Sequence, residues 1–391
     1  MSKIALTGNS AAAYAAALCK PGVIAAYPIT TQSSVVESLA DMIASGRLKA
    51  KMVQVESEHS ACSVVSGASL AGERTFTATS AQGLALMYEP YFRAASLRLP
   101  IVVPIACREM TSPSSIWCGQ QDAMTLKDAG WIQIHVEDNQ EILDMIIQAY
   151  RLAEDEDIML PVNICYDGFY LSHLMEGVEV PEQSSVDRFL PKYSKKLAFL
   201  DPEHPMAVDS LTEGSLLMKY RMSHMESMQK ALSILERIDN EFNKTFNRSH
   251  GGAIETYRMS DAESSIITIG SMTGTAREAV DLARENGIKV GLIKIRMMRP
   301  FPARQLAQAL TNISAWGCID RSVSFGWNKG PVYVEAKAST HDNRYSLSFI
   351  GGLGGADITV KMLAKCIGCL QKKDTKNESV IWLTSDFVEE V

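Results

Sequence analysis

Residues 23–34 have the sequence VIAAYPITTQSS, in which an apolar run leads into a loop rich in hydroxyl groups. The apolar run predicts a strand over 23–27, and the residues after the loop predict a helix over 34–44. Loops that leave the carboxyl ends of parallel strands are where α/β proteins bind ligands. Hydroxyls beside a helix N-terminus offer donors to an anion such as a carboxylate. The same residues would also suit a well-capped helix with no further role.

Short apolar runs alternate with amphipathic stretches over the first 170 residues. Strands that alternate with helices indicate a parallel sheet covered on both faces, so we expect an α/β fold. The predicted strands are 23–27, 52–55, 75–79, 101–107, 131–136 and 161–166, and the predicted helices are 34–44, 60–71, 84–95 and 140–153.

The pattern changes between residues 171 and 260, where four prolines punctuate an irregular segment. A long polar helix is predicted over 213–242, and 249–264 is predicted to be a loop. Alternation then resumes, which indicates a second, smaller α/β domain. Its predicted strands are 265–269, 289–295, 318–323, 332–336 and 346–350, and its predicted helices are 275–286, 303–310 and 358–369.

Composition excludes several classes of protein. The net charge of −7 argues against a nucleic-acid surface, which needs clustered Lys and Arg. No run of eighteen apolar residues could span a membrane, and the N-terminus lacks the features of a signal peptide. We therefore expect a cytoplasmic protein with no nucleic-acid or membrane partner. Of the cysteines only Cys366 and Cys369 form a C-x-x-C pair, which without a second pair is a weak sign of a metal site, and no metal ligands are expected.

Two further features lie where predicted strands end. Glu56 and Glu58 follow the strand 52–55, and on extended backbone their side chains point the same way. A carboxylate at this place could also simply favour a helix N-terminus. Arg108 follows the apolar strand 101–107, where its planar fork would suit a carboxylate substrate. A structural ion pair or a solvated side chain are the alternatives for Arg108.

Together these segments resemble one family, the alpha subunits of pyruvate:ferredoxin-type 2-oxoacid:acceptor oxidoreductases. The resemblance covers most of the chain in the family's order and is weak between about 180 and 255. The motifs that carry it are AYPIT at 26–30, QSS at 32–34, QVESEHSA at 54–61, TSAQGL at 79–84, ACRE at 106–109, GWIQ at 130–133, CYDGFYLSH at 165–173, RPFP at 299–302 and GLGGADIT at 352–359.

The resemblance implies a division of the chain into three parts. Residues 1–170 would form the pyrimidine-binding half of a thiamine diphosphate site, 171–260 a connecting segment, and 261–391 a transketolase C-terminal-like domain. A beta subunit would hold the diphosphate and its Mg²⁺. Gamma and iron–sulfur delta subunits would complete the complex, with the [4Fe-4S] clusters in partner subunits and none in this chain.

The resemblance also implies a reaction, the oxidative decarboxylation of a 2-oxo acid to acyl-CoA and carbon dioxide. The family's glutamate, which binds the pyrimidine N1′ of the cofactor, falls on Glu58, with Glu56 as the rival that spacing alone does not exclude. Pro28 and Ile29 would contact the cofactor. Thr30 and Arg108 correspond to the family residues that bind the substrate carboxylate.

The chain departs from the family pattern on the substrate side of the pocket. Thr31 stands where the family often has Pro, and the stretch after Arg108 lacks the Asp-His common in pyruvate enzymes. Pyruvate and an aromatic 2-oxo acid such as phenylglyoxylate are therefore both expected candidates, with Thr31, Ile116 and Trp117 lining the pocket. A non-catalytic regulatory or binding subunit, and a transketolase-like enzyme without iron–sulfur partners, are the alternative classes.

Overall fold

A computed structural model of the chain describes residues 2–194, 200–340 and 343–389. The strands are β1 (Ser2–Thr7), β2 (Val23–Ala26), β3 (Lys51–Gln54), β4 (Thr75–Phe76), β5 (Val102–Cys107), β6 (Ile132–His135), β7 (Val162–Asp167), β8 (Met175–Val180), β9 (Ile254–Tyr257), β10 (Ser264–Thr268), β11 (Val290–Ile295), β12 (Met297–Arg299), β13 (Ala315–Asp320), β14 (Tyr345–Ile350) and β15 (Val380–Trp382).

The helices cover the faces of two sheets and connect their strands. They are α1 (Gly8–Cys19), α2 (Ser33–Ala44), α3 (Glu58–Leu70), α4 (Ala81–Leu86), α5 (Tyr88–Ser96), α6 (Gln121–Thr125), α7 (Asn139–Ala153), α8 (Gln183–Phe189), α9 (Gly214–Phe246), α10 (Met272–Glu285), α11 (Ala303–Ala309), α12 (Pro331–Thr340), α13 (Val360–Lys372) and α14 (Asp386–Glu389).

The first sheet has the order β12-β6-β7-β5-β4-β2-β3 in the described part of the chain. Adjacent strands in this sheet run parallel, except that β12 runs antiparallel to β6. Every residue of β5 and β7 is buried, as is usual for central strands covered on both faces. The carboxyl ends of β2, β3, β4 and β5 meet at one edge of this sheet, which brings the three predicted site segments, after β2, β3 and β5, to the same side.

The second sheet has the order β15-β14-β13-β10-β11-β9 among the described residues. Its strands are parallel except β9, an antiparallel edge strand. The two sheets are joined by buried charges: the Asp167 carboxylate at the end of β7 accepts a hydrogen bond from the Ser271 backbone N–H at 3.1 Å and lies 3.5 Å from the Arg321 guanidinium. The predicted α/β fold with a second α/β unit is confirmed.

Most of the predicted strands of the first part are confirmed, but several elements were missed. The alanine-rich run at the start forms α1, which packs its buried face against α7. β1 and β8 pair antiparallel in a small separate sheet, and α8 follows. The predicted helix over 84–95 is two helices, α4 and α5, that break at Met87.

Two predictions for the chain after residue 248 are wrong. The expected loop at 249–264 contains β9, which adds to the second sheet from within the supposed connecting segment. The expected strand at 332–336 lies inside α12. The Asp320 carboxylate accepts hydrogen bonds from the backbone N–H groups of Val332 at 2.8 Å and Tyr333 at 3.2 Å, and so stabilises the first turn of this helix.

Candidate active site

The loop after β2 places its residues in different environments. Pro28 and Thr30 are exposed and Ile29 is half-buried. Thr31, by contrast, is buried, and its backbone carbonyl accepts a hydrogen bond from Asn9 Nδ2 at 2.6 Å. Thr31 therefore anchors the loop on its buried side, and Pro28 and Thr30 lie on its exposed side. The expectation that Thr31 lines the substrate pocket stays a prediction, and the structure adds that this residue is buried.

Asn9 holds this loop and was missed in the sequence. Its Nδ2 also donates to Ser34 Oγ at 2.8 Å, and its Oδ1 accepts from the Tyr166 hydroxyl at 2.6 Å. Asn9 is fully buried at the start of α1, directly after β1. The signal was a polar residue between a strand and an alanine-rich helix, but its partners are 22 to 157 positions away.

Glu56 and Glu58 differ in burial. Ser57 caps α3 by accepting a hydrogen bond from the Ser60 backbone N–H at 3.2 Å, and Glu58 is the first residue of the helix. Glu58 is 4% exposed, and burial raises the pKa of its carboxyl. Glu56 is exposed, and a hydrogen bond from Ser60 Oγ at 2.5 Å lowers the pKa of its carboxyl. The buried carboxylate is therefore that of Glu58.

Glu58 faces the turn that precedes and opens α4. A Cβ atom at Gly83 would lie 2.5 Å from Glu58 Oε1 and 2.4 Å from Thr79 Oγ1, so only glycine leaves room for both groups. Thr79 Oγ1 is buried without a hydrogen-bond partner in the described chain, and Glu58 has no ion-pair partner there. The desolvated Glu58 carboxylate and the Thr79 hydroxyl, which has no partner in the described chain, thus lie together against the backbone of Gly83.

Arg108, 6% exposed, lies at the end of β5. Its Nη2 donates to Gln82 Oε1 at 2.6 Å, whereas its buried Nε has no hydrogen-bond partner within the described residues. No carboxylate of the described chain forms an ion pair with it, and burial lowers the pKa of its guanidinium, against an opposing effect of Asp122. The guanidinium is desolvated and has donors available to an anion.

Asp122 links the first residue of α4 to Arg108 through their backbone N–H groups, and it was not singled out in the sequence. Its Oδ2 accepts hydrogen bonds from the N–H groups of Ala81 at 2.9 Å and Arg108 at 3.1 Å. Ala81 has a positive φ of 38°, a conformation that costs energy in a residue with a Cβ and needs support. Burial raises the pKa of Asp122 to about 7, against the effect of the N–H donors. The signal in sequence was an acidic residue in a segment otherwise expected to be a pocket wall.

Ile116 and Trp117 lie on the surface, 44% and 52% exposed. They precede Cys118, which forms an isolated antiparallel bridge with Arg108. The Trp117 ring lies 4.6 Å from the Phe169 ring, which in turn stacks on His173 at 4.6 Å. A row of three rings thus stands beside the segment that carries Arg108.

No group of three or more His, Cys, Asp and Glu side chains within residues 2–194, 200–340 and 343–389 could hold a metal ion. Cys366 is buried and Cys369 half-buried on α13. No helix in the described part of the chain is both long and apolar enough to cross a bilayer.

Two solved structures share the fold. A 2-oxoglutarate:ferredoxin oxidoreductase from Magnetococcus marinus, solved with 2-oxoglutarate, coenzyme A and succinyl-CoA, matches with a TM-score of 0.72 and 22% identity over 94% of this chain and 65% of that one, so this chain spans just under two thirds of its length. A split-gene transketolase, described as an inactive beta4 tetramer, matches with a TM-score of 0.54 and 12% identity over 92% and 97% of the two chains. The fold is therefore the transketolase-like α/β fold.

Sequence comparisons define the family within this fold. The model of the thiamine diphosphate-binding domain of pyruvate flavodoxin/ferredoxin oxidoreductases matches residues 14–240, and that of pyruvate:ferredoxin oxidoreductase core domain II matches 262–363. The alpha subunit of NADH-dependent phenylglyoxylate dehydrogenase from Aromatoleum evansii is 48% identical over 92% of this chain and 89% of its own length. Pyruvate synthase subunit PorA from Methanocaldococcus jannaschii is 42% identical over 97% of both chains. The chain belongs to the pyruvate flavodoxin/ferredoxin oxidoreductase family.

The residues around Glu58 fit the pyrimidine end of thiamine diphosphate. A carboxyl with a raised pKa can share a proton with a ring nitrogen, and the Thr79 hydroxyl without a partner is a hydrogen-bonding group beside it. The contact with Gly83 leaves space in front of the carboxylate that a side chain would fill.

Proposed function

We propose that the chain is the alpha subunit of a coenzyme-A-dependent 2-oxoacid:acceptor oxidoreductase. The observation that carries the proposal is that two consecutive residues contact the two buried charged side chains: Gly83 lies against Glu58, and Gln82 binds Arg108. Glu58 has a carboxylate suited to a ring nitrogen, and Arg108 has a cation suited to a substrate carboxylate. Both side chains thus contact the same turn of α4. In the reaction the bond to the substrate carboxylate breaks, carbon dioxide leaves, two electrons pass to an acceptor, and the acyl carbon bonds to the sulfur of coenzyme A, which releases its proton.

Glu58 would hold the pyrimidine end of the cofactor. Thiamine diphosphate, when bound, supplies the nucleophilic carbon for the substrate. The Glu58 carboxyl would share a proton with the pyrimidine N1′, for which a pKa raised by burial is suited. Pro28 and Ile29, at the end of β2, would contact the ring from the neighbouring loop. The exposed Glu56, hydrogen-bonded to Ser60, lacks the burial that this role requires.

Arg108 and Thr30 would position the substrate carboxylate. The Arg108 guanidinium donates one hydrogen bond to Gln82, and its buried Nε has no partner in the described chain. No carboxylate of the described chain forms an ion pair with Arg108, so a substrate carboxylate would not have to displace one. Thr30 lies on the exposed face of the loop after β2 and would add one neutral donor. Positioning the acid in this way lowers the entropic part of the barrier.

The aromatic row favours an aromatic 2-oxo acid such as phenylglyoxylate over pyruvate. Trp117 and Phe169 offer ring faces beside the segment that bears Arg108, and offset or edge contacts between rings add attraction beyond simple burial. The phenylglyoxylate dehydrogenase relative, 48% identical, supports the same choice. Pyruvate is the second candidate, supported by the PorA relatives.

The complex would include partner subunits beside this chain. A beta subunit would hold the diphosphate and Mg²⁺, and gamma and delta subunits would complete the complex, with [4Fe-4S] clusters outside this chain. The names of the relatives as alpha subunits and as PorA subunits support such an assembly. Residues 1–170, 171–260 and 261–391 would serve as pyrimidine domain, connector and transketolase C-terminal-like domain. A cytoplasmic location completes the proposal.

The test is to purify the native complex and measure coenzyme-A-dependent reduction of a viologen dye with a panel of 2-oxo acids. We expect reduction with at least one acid, strongest with phenylglyoxylate, and iron that copurifies with the complex. Absence of activity with every acid in a complex that contains thiamine diphosphate would favour a regulatory or binding subunit. Ketol transfer without iron would favour a transketolase-like enzyme.

A further inference from the structure

Helix α9 has two halves with different surroundings. In its C-terminal half Ala231, Leu235, Ile238, Phe242 and Phe246 are buried in the core of the first sheet. In its N-terminal half, His224 is the first buried residue, and its ring nitrogen contacts the Gly130 carbonyl at 2.8 Å. Residues 214–223 of the helix are thus all exposed, and burial begins at His224, after about three turns.

The projecting half is apolar although it is exposed. Leu216, Leu217, Met218, Tyr220, Met222 and Met225 are all large, apolar and exposed. Leu217 and Tyr220 lie on the same side of the helix as the buried His224. This side faces the protein from His224 onward, but it is exposed at Leu217 and Tyr220. A surface helix normally keeps polar residues outward, and a contiguous exposed apolar patch of this kind marks an interaction surface.

The outward side has the spacing of a helix–helix seam. Met218, Met222 and Met225 are separated by four and three residues, and they are 62%, 61% and 68% exposed. This alternation places them in one stripe, as in the contact seam of paired helices. Lys219 and Glu226, both exposed, are seven residues apart and therefore lie on the same edge of the stripe.

The charges beside the stripe are complementary to those of a second copy of the same helix. If two copies of α9 pair antiparallel about a two-fold axis between positions 222 and 223, Lys219 of each copy faces Glu226 of the other. The symmetric contact then has two opposite-charge pairs that flank six methionines. Such an isologous contact needs no other protein, because each copy supplies both halves. Arg221, the charged residue on the other edge, already donates to Ser96 Oγ at 3.0 Å.

We propose that the surface formed by residues 216–226 is the contact between two copies of this chain, paired antiparallel along α9. The seam Met218, Met222 and Met225 forms its centre, and the Lys219–Glu226 pairs set its direction. This inference does not depend on the proposed reaction.

The full-length chain, purified alone, tests the proposal by sedimentation equilibrium. We expect a dimer, with a dissociation constant that rises at least about tenfold in Lys219→Glu, where two attractive pairs become repulsive. The double variant Lys219→Glu/Glu226→Lys should return the constant to within about threefold of the original, because the swap restores both pairs in the antiparallel arrangement. Met222→Asp should give a monomer.

The matched control is Lys244→Glu, the same charge reversal at an exposed position near the end of the same helix, which should leave the dissociation constant unchanged. Circular dichroism and the melting temperature of each variant check that the fold is kept. A chain that is monomeric at about 100 μM, far above the Kd of a specific contact, would overturn the proposal. A double variant as weak as the single one would overturn the antiparallel pairing. Loss of a different subunit from the complex in Met222→Asp, with dimerisation intact, would assign the surface to that subunit.

Discussion

The Arg108 guanidinium donates to Gln82 Oε1 at 2.6 Å, across 26 positions of sequence. Because Gln82 is neutral, this contact orients the guanidinium without neutralising its charge. The buried Nε has no partner in the described chain, so a bound carboxylate would meet a desolvated cation with a fixed direction. A structural ion pair would have required a carboxylate at this place.

Arg108→Lys should lower kcat/KM for every 2-oxo acid that the complex uses. A point charge cannot reproduce the planar fork, and the expected loss is on the order of 2–4 kcal/mol in transition-state stabilisation. Steady-state kinetics with pyruvate and phenylglyoxylate measure it. Arg93→Lys, at an exposed arginine paired with Asp209, is the control and should change little. An effect confined to one substrate, or none, would mean that another group holds the carboxylate.

Glu58→Gln should abolish turnover in a complex that still assembles. The amide cannot share a proton with a ring nitrogen in the way a carboxyl with a raised pKa can. Glu56→Gln, two residues earlier and exposed, is the matched control and should keep near-normal rates. Activity and gel filtration of both complexes decide the point. The reverse result would transfer the role to Glu56.

Gly83→Ala should destabilise the chain and reduce activity. The new Cβ would lie 2.5 Å from Glu58 Oε1 and 2.4 Å from Thr79 Oγ1, so at least one of these side chains must move, at a cost of about 1–3 kcal/mol. Gly67→Ala is the control, because a Cβ at this exposed position in α3 meets nothing within 4 Å. It should stabilise the helix by about 0.5–1 kcal/mol. Urea unfolding of both variants measures the difference, and equal stabilities would show that Glu58 does not press on Gly83.

Trp117→Ala should change the preference among substrates. If its ring contacts an aromatic 2-oxo acid, the ratio of kcat/KM for phenylglyoxylate to that for pyruvate should fall by about two- to tenfold, as a ring–ring contact is worth about 0.5–1.5 kcal/mol. Trp327→Ala, an exposed tryptophan in a loop after β13, is the control and should leave the ratio unchanged. A proportional loss for both acids in Trp117→Ala would assign Trp117 to the structure of the segment.

Asp320→Asn should remove part of the pH dependence of stability. Burial raises the pKa of Asp320 from 3.8 to about 7, against the effect of its helix N–H donors, so the folded chain keeps this proton to a higher pH than the unfolded chain does. Its contribution to the free energy of unfolding is fully present below about pH 4 and is lost as the pH rises towards 7, by at most on the order of 4 kcal/mol. Relative to wild type, the variant should therefore gain stability from pH 4 to 8. Urea unfolding at several pH values measures the difference, and a constant difference would contradict the shift.

Local pattern was sufficient where a segment has only one way to bury its apolar side chains. The runs at β5 and β7 are short, apolar and flanked by breaks, so they could be recognised as central strands. The run at 332–336 fits a strand or a buried helix face equally well, and the Asp320 carboxylate, twelve residues earlier, favours the helix by accepting a hydrogen bond from the Val332 backbone N–H. Similarly, β9 gains its role from pairing with β11 and not from its own sequence.

The sequence by itself determined the α/β class and the family, and it placed the proposed site residues at the ends of strands. Strand ends pointed to Arg108, to the loop after β2 and to Glu56 and Glu58 together, and the resemblance to the family favoured Glu58. Only the tertiary structure decided which of the two glutamates is buried, that Thr31 supports the loop and Thr30 faces outward, and that Gln82, Asn9 and Asp122 hold the others in place. The physical reason is that burial and hydrogen bonding depend on neighbours far along the chain, such as Gly83 beside Glu58. Local residue spacing does not predict these distant neighbours.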